Sequence, residues 1–248
     1  MSYLILGSGG LGGGLAHELA SRGEEWLLAG RQLPKGLDPA CYFPLQEVDP
    51  LSFDALFTLY DTATLPTVVI NTIGLLHDLN HMPERRVEEV SPQWLGESLQ
   101  ANAWPHLALG ASLSRLMTPE SRLWLCSLSD LAGSLGTGNL EAVGRYSYRM
   151  SKAALNMGAR ILAAEWAERF PGAGVITVHP GLMDTPMQQP FRQGLDPALL
   201  QDPALVAPQL LDLLASLTLA HSGRFVDLRG QPGSHPRPPS LASMMPAG

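Results

Sequence analysis

Apolar residues along this chain arrive in short runs, separated by longer stretches in which they recur at helical spacing. The runs at 3–7, 26–30, 41–45, 67–71, 122–127, 174–179 and 224–228 read as buried strands. Helical stretches begin near Gly10, Pro50, Pro92, Tyr146 and Pro203. Three of these starts join a capping residue to a proline: Asp49-Pro50, Ser91-Pro92 and Asp202-Pro203. The cap oxygen accepts an orphan backbone N–H, and proline has none to leave unpaired. Two of the helices are expected to be long, at 91–117 and 146–170. Strand and helix in alternation predict a single α/β domain: a Rossmann-type doubly wound parallel sheet of about seven strands with helices on both faces. The domain is expected to span 1–230. Five prolines from Pro232 onward mark 231–248 as a tail.

Composition supports a packed domain and narrows its partners. Of 248 residues, 45% are hydrophobic and only 16% charged, a core-forming balance. Sixteen Lys+Arg against 23 Asp+Glu leave a formal charge of −7, which argues against a nucleic-acid binder. No apolar run approaches the ~18 residues of a membrane span. The N-terminal residues lack the basic and long apolar regions of a secretory signal, so a cytoplasmic protein is expected. Cys41 and Cys126 make neither a disulfide framework nor a metal cluster, and two buried reduced thiols are expected.

The first strand runs into six glycines within eight positions, Gly7-Ser8-Gly9-Gly10-Leu11-Gly12-Gly13-Gly14. Gly7, Gly9 and Gly12 fit G-x-G-x-x-G, and other alignments are open. A tight turn after a strand lets backbone amides approach a pyrophosphate at the positive end of the following helix. That helix has apolar spacing at Leu11, Leu15 and Leu19, so the segment reads as dinucleotide-binding. At the end of the second strand stands Arg31, where an NAD site usually carries Asp or Glu. Its planar fork suits a 2′-phosphate, so NADP(H) is expected over NAD(H).

Tyr148 and Lys152 form Y-x-x-x-K, which stacks phenol and ammonium on one helix face. The ammonium is expected to lower a phenol pKa that is otherwise too high for proton transfer at neutral pH. Tyr146 is a decoy, since four residues on it meets Met150. Some twenty residues earlier, Ser127-Leu128-Ser129 ends a strand, and Ser129 is favoured over Ser127 as a donor to a developing oxyanion.

With these motifs in place the sequence resembles the short-chain dehydrogenase/reductase family over roughly residues 3–230, and more finely its C-factor (C-signal)-like branch. Asn71-Thr72-Ile73-Gly74 stands where that family has N-N-A-G. Asn102 matches its central-helix asparagine, and Pro180-Gly181-Leu182 with Thr185 matches its P-G motif and nicotinamide-side threonine. The resemblance implies a catalytic set of Asn102, Ser129, Tyr148 and Lys152. It implies a cofactor site built from Gly7, Ser8, Gly9, Gly10, Leu11, Gly12, Arg31, Asp49, Asn71, Thr72, Ile73, Gly74, Tyr148, Lys152, Pro180, Gly181, Leu182 and Thr185, with no metal. Two departures stand out. The glycine spacing is one residue short of G-x-x-x-G-x-G, and Ser127-Leu128-Ser129 precedes Gly133 where S-S-x-x-G is usual. Asp49 has two readings, adenine contact or helix cap. The implied activity is hydride transfer between a nicotinamide and a small carbonyl or alcohol, with Tyr148 as acid/base, in a homodimer or homotetramer. The alternative is an NAD(P)H-binding signalling or sensor protein with little turnover. The segment 183–202 is expected to act as a lid, its apolar members Met183, Met187, Phe191 and Leu195 suggesting a partly apolar substrate pocket, and no role falls to His77.

Overall fold

The computed structural model describes residues 1–136, 143–192 and 196–228. Seven strands form one sheet: β1 (Ser2–Leu6), β2 (Glu25–Gly30), β3 (Tyr42–Pro44), β4 (Val68–Asn71), β5 (Trp124–Leu128), β6 (Gly174–His179) and β7 (Arg224–Asp227). Their order is β3-β2-β1-β4-β5-β6-β7, and every neighbouring pair is parallel. The expected fold class is therefore the observed one.

Parallel strands need crossovers, and the six helices among the described residues supply all but the β2–β3 connection: α1 (Gly10–Arg22), α2 (Pro50–Phe57), α3 (Pro92–Asn102), α4 (Trp104–Leu116), α5 (Tyr146–Arg169) and α6 (Pro203–Ala215). Asp49, Ser91 and Asp202 cap α2, α3 and α6 through their side chains, as the sequence pattern predicts. One face of the sheet packs Leu15, Leu19, Val206 and Leu210 of α1 and α6. The other packs Phe53, Leu109, Leu113, Leu162 and Trp166 of α2, α4 and α5. Burial on both faces explains strands that read as continuous apolar runs rather than alternating ones.

One expected helix is two. The stretch 91–117 breaks at Ala103, between α3 and α4. Pro105 has no N–H for the carbonyl of Ala101, so the α-helical ladder cannot continue through it. The break leaves Asn102 fully buried as the last residue of α3. One further expectation changes in detail. Cys126 is buried but Cys41 only partly so, and both are free thiols. The proline-rich tail lies outside the described residues. Among the described residues, no helix is long and apolar enough to cross a membrane.

Candidate active site

Chain order reverses direction at β1, whose neighbours β2 and β4 connect to opposite sides of the sheet. Open parallel sheets bind ligands outside the carboxyl ends of their strands at such a switch point. A cleft of about 960 Å³ lies there, walled by the turns after β1, β2, β4, β5 and β6.

The β1–α1 turn is shaped by glycine at two places. Gly7 takes φ +95, which L-residues avoid, and its N–H donates to Ala29 O at 2.8 Å. A Cβ on Gly12 would lie 1.8 Å from Gly7 O, so α1 docks against the turn only because that position is bare. Gly12 accordingly shapes the turn from behind, whereas Gly7, Ser8, Gly9, Gly10 and Leu11 line the cleft. No side chain caps α1 and no acidic residue sits in its first turn, so its N-terminal amides face the cleft with the helix dipole behind them. A Cβ added to Gly9 would meet nothing within 4 Å, which leaves backbone open to a bulky anion. This end of the cleft fits the pyrophosphate of a dinucleotide.

Arg31 is exposed at the cleft edge after β2. The cap reading of Asp49 holds, its side chain accepting from Ser52 N at 2.7 Å, and the residue also lines the cleft. Thr72, Ile73 and Gly74 form the wall after β4. Asn71 stands behind that wall, its Oδ1 accepting from Ile73 N and its Nδ2 donating to Ser127 Oγ at 3.2 Å. Asn102 likewise works from behind. It accepts from Leu75 N and donates to Leu75 O, both at 2.8 Å, and its Nδ2 also reaches Ser151 Oγ. Pro180, Gly181, Leu182 and Thr185 complete the wall after β6. That wall is strapped to Gln201, whose N–H donates to Leu182 O and whose carbonyl accepts from Asp184 N.

At the opposite end the titratable groups converge. Tyr148 and Lys152 lie side by side on α5, both buried, with Lys152 Nζ 5.7 Å from the phenol ring centre and donating to Leu128 O at 3.0 Å. Burial pulls the Lys152 ammonium down to about 8, against a smaller opposing effect of the Asp130 carboxylate. The expected lowering of the tyrosine is not what this geometry gives. Burial pushes the Tyr148 phenol well above its ordinary value, and the adjacent Asp130 carboxylate pushes it further.

Ser127 is fully buried, shared between Asn71 and His106 Nδ1, so its hydroxyl is committed to the core. Burial holds that histidine down at about 4, and it is neutral. Ser129 forms part of the cleft wall, but its Oγ is enclosed and has no partner among the described residues.

Three neighbours escaped sequence reasoning. Asp130 accepts from the Tyr148 hydroxyl at 2.9 Å and lies 3.8 Å from His179 Nδ1. Arg145 stands at the mouth of the cleft in a left-handed conformation, φ 57, with its guanidinium over the Phe191 ring. For Asp130 a signal was available, because counting back from Gly133 through S-S-x-x-G places its second serine at position 130. Of the expected lid, Met183 and Met187 line the cleft, Phe191 packs against Arg145 and His77, and Leu195 lies outside the described residues. His77, given no role, bonds Met187 O through Nε2 at 3.1 Å and so ties the β4 and β6 walls together. Outside the cleft's chemical end, Asp78, His81 and Glu97 come close enough to share an ion, although His81 already bonds Asp78 and stacks on Trp94.

Comparison with known proteins agrees with this architecture. No family model matches the chain. The carbonyl reductase Sniffer of D. melanogaster superposes with a TM-score of 0.76 at 23% identity, covering 93% of this chain and 98% of that one. An NADPH-bound carbonyl reductase from chicken fatty liver gives 0.75 at 22% identity, covering 93% and 97%. The chain has the short-chain dehydrogenase/reductase fold. C-signal of Myxococcus xanthus is 37% identical over 91 residues. That match spans 35% of this chain and 47% of the relative, just under half its length.

Proposed function

We propose that the protein is an NADP(H)-dependent oxidoreductase of the carbonyl-reductase type, acting on a small molecule. The observation that carries this reading is the placement of the buried Tyr148–Lys152 pair in the same cleft as the uncapped α1 N-terminus and Arg31. The similarity to an NADPH-bound carbonyl reductase supports it. Amides of Ser8 to Leu11 would hold the pyrophosphate, Arg31 the 2′-phosphate, and Lys152 with the 180–185 wall the nicotinamide end. A bound reduced nicotinamide supplies hydride to the electrophilic carbon of the substrate.

The chain's own groups do the rest. Burial and the Asp130 carboxylate hold the Tyr148 phenol in its neutral form at physiological pH, so in this reading Tyr148 is the proton donor when the substrate is reduced. Asn102 holds the backbone of Leu75, and with it the wall against which the ring end lies. Ser129 keeps a supporting place behind Asp130. We further read residues 1–230 as one domain in a cytoplasmic protein. A second copy would cover the exposed apolar residues Trp104, Leu107, Met150, Met157 and Ile161 of α4 and α5.

One observation favours a second reading, a dinucleotide-binding sensor with little turnover: the Tyr148 proton is already engaged by Asp130. Titration with NADPH and NADH by fluorescence, followed by oxidation assays against aldehydes, ketones and imines, separates the two. Tight NADPH binding with turnover supports the reductase. Binding without turnover on the whole panel supports the sensor, and no binding overturns both.

A further inference from the structure

In a site that polarises a carbonyl, the group beside the tyrosine donates a hydrogen bond to the oxygen as negative charge develops. Here the side chain in that place is Asp130. Both of its oxygens act as acceptors: Oδ1 from Ala132 N at 2.9 Å, Oδ2 from the Tyr148 hydroxyl at 2.9 Å. Of the hydroxyls described at this strand end, Ser127 Oγ is committed to Asn71 and His106, and Ser129 Oγ is enclosed. Asp130 opens into the cleft, with about a quarter of its side chain exposed (26%). The charged or titratable groups around Asp130 are His179, Lys152, Tyr148 and, at the mouth, Arg145. Of these, the Tyr148 hydroxyl is directed at Asp130 Oδ2 and the Lys152 ammonium at Leu128 O. A carboxylate in this position repels an alkoxide but attracts a positive centre or an N–H.

Resting on the reductase reading above, we propose that Asp130 faces the reacting atom of the substrate and selects a C=N bond carried as an iminium cation over a neutral carbonyl. The step balances without an added proton. An iminium carbon accepts a hydride from a reduced nicotinamide dinucleotide, a C–H bond forms, and the C=N π pair becomes the lone pair of a neutral amine. The dinucleotide is oxidised by two electrons. Where the imine arrives unprotonated, Tyr148 supplies the proton to nitrogen and Asp130 pairs with the N–H so formed. For the cation, the Asp130 charge offsets the substrate's own, which a serine hydroxyl in that position would not do.

The test compares wild type with Asp130→Asn, which keeps size and the bond from Ala132 N, and with Asp130→Ser. NADPH affinity is measured first by fluorescence titration in all three. Loss of binding in the wild type refutes the reductase reading, and the substrate proposal falls with it by a separately recognisable result. With binding intact, kcat/KM is measured for the cyclic imine 3,4-dihydroisoquinoline and the ketone 2-tetralone. Wild type is expected to prefer the imine by about tenfold or more, Asp130→Asn to lose that preference, and Asp130→Ser to reverse it. A wild-type preference for the ketone, or an unchanged ratio in Asp130→Asn, would overturn the proposal. Independently of turnover, the amine product tetrahydroisoquinoline should bind the NADP⁺-loaded wild type about tenfold more tightly than 2-tetralone in a thermal-shift titration, and equally in Asp130→Asn. Equal affinities in the wild type would contradict it.

Discussion

The two ends of the cleft are built on different principles. Around β1 and β2 the site is made of backbone: Gly7 turns at φ +95, Gly12 lets α1 dock against Gly7 O, and the uncapped helix presents its amides. Around β5 and α5 it is made of side chains, with Asp130, Tyr148, Lys152 and His179 held by each other and by single carbonyls. The first end tolerates no extra atom at its tightest point. The second keeps its shape under substitution but changes its chemistry. Binding and reactivity should therefore fail separately when each end is altered.

The largest effect should come from the backbone end. Gly12→Ala forces a Cβ into Gly7 O and should cost roughly 3 kcal/mol or more, with NADPH binding lost. Gly9→Ala, into open space, should leave the melting temperature nearly unchanged. Equal melting temperatures for the two would break the distinction. Next comes Arg31→Asp, expected to weaken NADPH about tenfold more than NADH by removing a guanidinium–phosphate contact. An unchanged affinity ratio in paired titrations would remove Arg31 from the site.

At the side-chain end the effects appear in pH dependence. The unfolded chain holds the Lys152 proton up to about 10.5, the folded one only to about 8. Between these values the unfolded state binds more protons, so stability should rise as pH climbs from about 8 toward 10. Above 10 the raised Tyr148 phenol acts in the opposite direction, because the folded state then holds the extra proton. Denaturant unfolding across this window should show the rise in wild type and a flatter curve in Lys152→Met. The smallest effect is reserved for Ser129→Ala. With its Oγ enclosed and unpartnered, the change should cost under about 1 kcal/mol and leave turnover within a few-fold. A drop of about 10²–10³ in kcat would instead make Ser129 the oxyanion donor.

The same contrast explains what could be read from the chain. A turn that demands bare positions writes glycines into the sequence, and parallel strands buried on both faces write uninterrupted apolar runs, so the sheet and the dinucleotide end were legible. The break at Ala103 was marked by Pro105, yet apolar spacing carried across it and concealed two helices as one. Tyr148 and Lys152 were legible because helical spacing alone puts them together. Their partner was not. Ser127, Ser129 and Asp130 follow one another at the end of β5, and only packing decides which is committed to Asn71, which is enclosed and which meets the phenol. Burial sets the direction of the tyrosine shift, and the carboxylate adds to it where an ammonium would oppose it.

The separation of binding from chemistry is tested most directly by Tyr148→Phe, in one preparation carried through NADPH titration and turnover. The account predicts NADPH affinity within about twofold of wild type, with turnover reduced by roughly 10²–10⁴ through loss of the proton donor. Turnover equal to wild type, or loss of NADPH binding together with turnover, would contradict it.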